Sequence, residues 1–444
     1  MRLNNFKVGG YKVFGDVVEL DMVPGVKNFK HLSENVIEKR EVNRINKNLK
    51  SSIIYGGNNS GKSSLLDGIM MMKKIFKRGN VENFPFDIFK NFCYKYDDLI
   101  RFEISILDNS INYTYGFEFK EEKAMGEYLI EENNLLFSRD IKGNIEGTFV
   151  DDDDFYKRLS DLPMDKLIIP YFLEYTKIVD DYEVFLIFEN FFNKIEYIDN
   201  GENEVNMALY AEFIDDPAKT KLLNKVISST ELYLKRRDIL SEEELYESKE
   251  FKELIKLDKT EEFKNMTDKD KSFKSLIELL RIVSVYKGRD DREVFKPSLL
   301  FDSVGTNKFV RLAMYIISTI LKGNILLVDE LDSSLHHKLT RALVILMNSE
   351  INTNAQFILT THDVKLLSPK LFRKDQINFI VRDEQGVEVV PLEDFKANSD
   401  RDIRSDSNFE KMYVEEKIVP LPDTDIYQVI KEFKKHEKKT TTTN

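Results

Sequence analysis

The run Gly56-Gly57-Asn58-Asn59-Ser60-Gly61-Lys62-Ser63 restricts what this chain can fold into more than any other segment. It follows Ser51-Ser52-Ile53-Ile54-Tyr55, an apolar, strand-like run, and precedes the helix-forming Ser64-Leu65-Leu66-Asp67-Gly68-Ile69. A strand, a glycine-rich turn and a helix start in that order form a phosphate cradle. Backbone N–H groups around such a turn face one concavity, glycines permit turns that a Cβ would block, and the helix N-terminus adds partial positive charge. Lys62 is placed to reach β- and γ-phosphates, and the Ser63 hydroxyl to hold Mg²⁺. The candidate nucleotide-binding residues are Gly56, Asn58, Asn59, Ser60, Gly61, Lys62, Ser63 and Ser64, with ATP and Mg²⁺ as the expected ligands.

A second segment supplies acid groups. Asn324-Ile325-Leu326-Leu327-Val328 has the apolar, β-branched character of a strand buried on both faces of a parallel sheet, and it ends in Asp329-Glu330. Open α/β sheets bind ligands at the carboxyl ends of their strands, so Asp329 is a candidate Mg²⁺ ligand and Glu330 a candidate general base toward water. A third strand-like run, Ala355-Gln356-Phe357-Ile358-Leu359-Thr360-Thr361, leads into His362-Asp363. His362 at the same edge is a candidate partner for the γ-phosphate or the attacking water.

Upstream of the acidic strand, Leu300-Phe301-Asp302-Ser303-Val304-Gly305-Thr306-Asn307-Lys308 leads into a helix with apolar positions at helical spacing. Ser303 and Gly305 at that start form a second anion-binding turn. Because the cradle already holds the phosphates of its own chain, the second turn is expected to serve the nucleotide of a partner chain.

Taken in order, phosphate loop, Ser-Val-Gly-Thr turn, acidic strand and His loop resemble an ABC-type ATPase of the SMC and RecF branch. The resemblance implies an α/β fold, an ABC-type P-loop ATPase head of mixed sheet flanked by helices, with composite sites shared across a homodimer or higher homo-oligomer. It also implies that Leu331-Asp332-Ser333-Ser334-Leu335-His336 is the D-loop that crosses between protomers, so Asp332 joins the nucleotide-binding set. Within the branch, Leu3-Asn4-Asn5-Phe6, the Asp329 to His336 phrase, Thr360-Thr361-His362-Asp363 and Phe409-Glu410-Lys411-Met412-Tyr413 resemble bacterial ATPases of the abortive-infection, RloA-like class that serve in anti-phage defence. That likeness implies a regulatory ATPase, a separately encoded nuclease or toxin as effector, and a phage protein as trigger. Two positions depart from the pattern: Val304 stands where a small or polar residue is frequent, and His337 where Pro is common. No Gln occurs between Ser63 and Ser138, so the Q-loop has no counterpart, although Asp87 or a polar neighbour offers a substitute. The alternatives are a DNA-repair or chromosome-type ATPase acting on DNA ends, and a transporter motor.

Composition narrows the rest. With 444 residues and 42% hydrophobic content the chain can bury a large core, and no stretch approaches the ~20 apolar residues of a membrane span. A soluble, cytoplasmic protein without membrane contact is expected. One cysteine, Cys93, and five scattered histidines give neither a disulfide nor metal-ligand spacing, and Cys93 reads as a buried small hydrophobe. A net charge of −12 argues against a surface that coats nucleic acid, while leaving room for a local basic groove.

Lys62 and Asp329 lie too far apart in sequence for a single crossover, so a lobe must be inserted between them. The expected layout is an N-terminal ATPase lobe over 1–140 with the phosphate loop and a hairpin built from 99–107 and 111–117; a mostly helical insertion over 141–295; a C-terminal ATPase lobe over 296–395; and an extension with a charged tail over 396–444. The stretch 219–287, rich in Leu, Glu and Lys, supports the helical reading. Asp151-Asp152-Asp153-Asp154 reads as a solvated acidic loop without chemistry.

Overall fold

The computed structural model describes residues 1–25, 31–41, 44–91, 99–120, 124–175, 182–199, 206–230, 232–257, 271–288, 290–382, 386–397 and 401–418. Cys93 and the charged tail lie outside the described residues. Among the described residues, no helix is long and apolar enough to cross a membrane.

Two sheets and the helix between them position the cradle. One sheet has six strands in the order Ile195–Ile198, Ile325–Val328, Gln356–Thr360, Ser51–Tyr55, Ile377–Arg382 and Val387–Pro391. The first five run parallel, and the last is antiparallel. Such strands carry apolar residues on both faces, and the sequences ILLV and SSIIY, buried throughout, fit that demand. The second sheet is antiparallel and seven-stranded: Ile145–Glu146, Asn134–Arg139, Ala124–Glu131, Ile111–Lys120, Ile100–Asp108, Arg2–Gly9 and Val18–Asp21. Its middle contains the hairpin expected from the alternating sequence, with Ile100 opposite Phe119 and Asp108 opposite Ile111.

The alternation of side chains along the parallel strands divides the core in two. Ile54, Leu327, Ile358 and Ile380 face the helix Lys62–Arg78 and, beyond it, Phe6, Val8 and Phe102 of the antiparallel sheet. Ile53, Tyr55, Leu326, Val328, Phe357 and Leu359 face the opposite way, onto the helices Val304–Lys322 and His337–Asn348. The first helix presents Leu65, Ile69 and Met72 at three- and four-residue spacing, each contributing roughly 1.5–3 kcal/mol by burial. At Gly68 the Phe6 ring comes to 3.4 Å of where a Cβ would stand, so the helix lies close against the sheet.

Between residues 141 and 295 the chain builds helices at Asp153–Ser160, Ile168–Tyr175, Glu183–Asn193, Met207–Ile214, Pro217–Ser228 and Lys271–Arg281, among others, and it also builds strands. Ile195–Ile198 pairs in parallel with Ile325–Val328 and so belongs to the nucleotide-binding sheet. Leu234–Ile239, Ile282–Lys287 and Glu293–Pro297 form a separate three-stranded antiparallel sheet. The acidic run is a helix start: Asp152 caps Asp153–Ser160, its Oδ1 accepting from the backbone of Asp154 at 2.9 Å and of Phe155 at 3.4 Å. Asp87 is exposed on the short helix Phe86–Phe89 and pairs with Lys90. Near the C-terminal end, the helix Phe409–Val414 sets the Tyr413 ring against Phe379 and Tyr55, 5.5 and 6.0 Å between centroids, bracing the last residue of the cradle strand.

Candidate functional site

The parallel register brings three chain segments to one edge of the sheet. Val328 lies opposite Leu359, and Thr360 opposite Ile54, so Gly56, Asp329 and Thr361 all emerge together at the carboxyl ends of their strands. That is the edge where an open α/β sheet admits a ligand.

The cradle's shape comes from local backbone. Asn59 has φ 60° and Gly61 φ 121°, and the helix begins at Lys62. A Cβ at Gly56 would stand 2.5 Å from Ser60 Oγ, and one at Gly61 would stand 2.7 Å from Val13 Cγ2 with the Phe14 ring beyond, so both positions require glycine. Lys62 is buried, and its Nζ donates to the carbonyl oxygens of Gly56 at 2.9 Å and Gly57 at 3.0 Å. Burial pushes its pKa below the usual lysine value, while the carboxylates of Asp329, Glu330 and Asp332 act in the opposite direction. One ammonium therefore senses the acidic strand and its following loop as well as its own turn. Asn58, Asn59 and Ser63 are exposed at the mouth, and Ser64 is half-buried behind them.

Thr360 organises the acid pair. Its hydroxyl donates to Asp329 Oδ1 at 2.5 Å and accepts the Glu330 N–H at 2.8 Å. Asp329 is buried, and its own N–H donates to the Ile198 carbonyl at 3.0 Å, which ties it to the edge strand. Glu330 adopts φ 48°, a left-handed conformation that costs a non-glycine residue ~1–3 kcal/mol. Fixed partners hold it there: Thr360 on its N–H, and Lys308 Nζ on its carbonyl at 3.0 Å. Sequence places Thr360 and Lys308 beside the candidate motifs but gives neither a role, because a threonine closing a β-strand and a lysine in a helix are ordinary; only the fold aims them at the acid pair.

Asp332 bonds inside its own chain, accepting from Thr361 Oγ1 at 2.6 Å and from the His362 N–H at 3.1 and 3.3 Å. It thereby fixes the backbone of the loop that displays the exposed His362. His336 caps the following helix, His337–Asn348.

Ser303 caps the helix Val304–Lys322, its Oγ accepting the Thr306 N–H at 3.1 Å. A Cβ at Gly305 would stand 2.5 Å from the Ser334 carbonyl, so this turn lies directly on the loop after Glu330. Between them opens a cleft of about 530 Å³, bordered by Val304, Lys308, Arg311, Ser333 and Ser334, a volume within the range of small-molecule sites. Leu299, Leu300, Phe301 and Val304 stand exposed around it, at 44, 57, 57 and 67%.

The residues present fit a magnesium-bound triphosphate. Ser60 Oγ is buried without a partner among the described residues, the turn that carries it leads straight into a helix N-terminus, and Ser63 and Asp329 are the hard oxygen donors that Mg²⁺ prefers.

A family model described as "AAA domain, putative AbiEii toxin, Type IV TA system" matches residues 51–368, from the cradle strand to just past the His362 loop. No curated protein matches the chain. Among solved structures it is similar to the SMC head domain from Thermotoga maritima, with 17% identity and a TM-score of 0.44 over 88% of this chain and 100% of that one. It is also similar to an SmcHead bound to the C-winged helix domain of ScpA, with 13% identity and a TM-score of 0.43 over 88% of this chain and 98% of that one.

Proposed function

Because the chain belongs to this AAA-domain family, we propose that it binds and hydrolyses ATP at the edge where cradle, acid pair and His loop converge. The observation that carries the reading is Lys62, buried on the cradle's carbonyls while under the influence of Asp329, Glu330 and Asp332. Phosphate oxygens offer that ammonium stronger, charge-assisted bonds than the two carbonyls do. Mg²⁺, held by Ser63 and Asp329, would neutralise charge on the β- and γ-phosphates. Glu330 takes a proton from water as the water oxygen bonds to the γ-phosphorus and the bond to the β,γ-bridging oxygen breaks, giving ADP and phosphate. Thr360 keeps Asp329 and Glu330 in register, and His362 faces the γ-phosphate side.

The second half of the site comes from another copy of the chain. Ser303 and Gly305 sit at a helix start on an exposed apolar surface, which supports a dimer or higher homo-oligomer closed by nucleotide. In this layout 1–140 and 296–395 build the head together with the edge strand Ile195–Ile198, the rest of 141–295 is its insertion, and 396–444 its extension. The finer role we assign is regulatory: ATP-driven assembly controls a separately encoded nuclease or toxin in anti-phage defence, with a phage protein as trigger. The family's description as a toxin–antitoxin system and the abortive-infection sequence likeness support it.

Purified protein is expected to release phosphate from ATP, with turnover lost in Lys62→Ala. Cells carrying the native locus are expected to resist phage only with intact Lys62. Unchanged hydrolysis in that variant would refute the site, and equal phage plating with either allele would refute the defence role.

A further inference from the structure

The turn at residues 303–306 projects from the head, and what fixes it in place comes from the inserted lobe. Asp302, immediately before Ser303, has a side chain fully screened from solvent. Its carboxylate accepts from Arg237 Nη2 at 2.7 Å, from Ser284 Oγ at 2.6 Å and from the Tyr286 hydroxyl. All three donors stand on the three-stranded sheet, on Leu234–Ile239 and Ile282–Lys287. The same Arg237 nitrogen reaches Asn307 Oδ1 at 2.7 Å, and Asn307 Nδ2 donates to the Ser298 carbonyl at 3.2 Å. One guanidinium thus grips the chain on both sides of Ser303 and Gly305.

Stability alone gives little reason for this pair. Apolar side chains of similar volume often replace a buried ion pair at no loss, and Arg237 Nε and Nη1 are buried without partners among the described residues. Geometry gives the reason. Beyond the turn, Gly305 abuts the Ser334 carbonyl and Lys308 bonds the Glu330 carbonyl, so a shift of the turn is felt at the loop carrying the base.

We propose that Arg237 is a positioning residue which, through Asp302 and Asn307, sets the Ser303–Gly305 turn, so that the inserted three-stranded sheet gates ATP hydrolysis. The inference rests on the ATPase reading and assigns the input to this sheet: a ligand or partner that displaces it loosens the turn without touching the cradle.

The test compares the full-length parent with Arg237→Met and Arg237→Lys in three measurements: ADP affinity, ATP turnover, and amide hydrogen exchange at residues 303–307. In Arg237→Met, ADP affinity stays within about twofold, kcat falls about tenfold or more, and the 303–307 amides exchange faster, while Arg237→Lys recovers part of the loss. An equal loss of ADP affinity and kcat would mark Arg237 as a fold-stabilising residue only and overturn the proposal, as would unchanged turnover with unchanged exchange. If Arg237→Met does not fold, Tyr286→Phe removes one donor to Asp302 and is read by the same criteria. If the parent itself turns over no ATP, the ATPase reading fails separately; faster exchange at 303–307 then upholds the clamp, and unchanged exchange overturns it.

Discussion

The cradle and the Ser303 turn are both helix N-termini that we propose meet phosphate, yet the chain holds them in opposite ways. The cradle is enclosed: its strand is buried on both faces, its glycines are imposed by Ser60, Val13 and Phe14, and its lysine is bonded to its own loop. The Ser303 turn is presented outward, ringed by Leu299, Leu300, Phe301 and Val304, and is anchored from a sheet remote in sequence by Arg237. A site fixed by local backbone is ready before its ligand arrives. One held by a few long-range polar contacts can be moved, and that difference separates binding from switching.

The contrast breaks most completely at Lys62. Lys62→Ala should weaken ATP binding by ~3 kcal/mol, on the order of a hundredfold, by removing a charge-assisted donor, as nucleotide titration checks. At the exposed turn, Leu300→Asp should leave folding stability within about ±0.5 kcal/mol, because the side chain faces solvent. ATP-driven association should nevertheless fall more than tenfold, as read by sedimentation. Loss of ATP binding in that variant would blur the separation between the two regions.

Thr360→Val tests the link between them. It deprives Asp329 of a donor and takes the Thr360 acceptor from the Glu330 N–H, which should cost ~1–3 kcal/mol and lower kcat more than ADP affinity. The smallest effect is expected at Glu212, which joins the insertion helix Met207–Ile214 to the end of the helix Val304–Lys322. Burial raises its pKa, but hydrogen bonds from Lys219, Lys322 and Ser318 outweigh this and bring it down to about 2 from 4.5. Being depressed, the group adds stability that is present above pH 4.5 and is lost as pH falls toward 2. The contribution stays below ~1 kcal/mol because the ion pairs are partly exposed. Glu212→Gln should therefore melt slightly lower than the parent near pH 6, with the difference vanishing near pH 2.

Sequence was most informative where chemistry is local. Strands ending in Tyr55, Val328 and Thr360 are visible as short apolar runs with a polar stop, and the cradle's conformation follows from glycines that its neighbours enforce. The helix after Ser303 is visible from its apolar spacing and cap. The strand Ile195–Ile198 was hidden, because Ile-Glu-Tyr-Ile inside a helix-rich stretch carries no periodicity that four residues can display. The three-stranded sheet was hidden by its charges: Lys235, Arg236 and Arg237 lie in a strand that pairs them with Glu293 and Asp302. Such partners meet only through tertiary structure, so the residues that hold the Ser303 turn are invisible to spacing while those of the cradle are not.

The most direct test of the two-part site is the mass of Glu330→Gln in solution, measured by sedimentation velocity with saturating ATP, with ADP and without nucleotide. With the base removed and both phosphate-binding turns intact, ATP should convert the protein to a dimer or larger assembly, while ADP and no nucleotide leave it dissociated. A species of the same mass in all three conditions, with ATP binding verified, would contradict a site completed by a second chain.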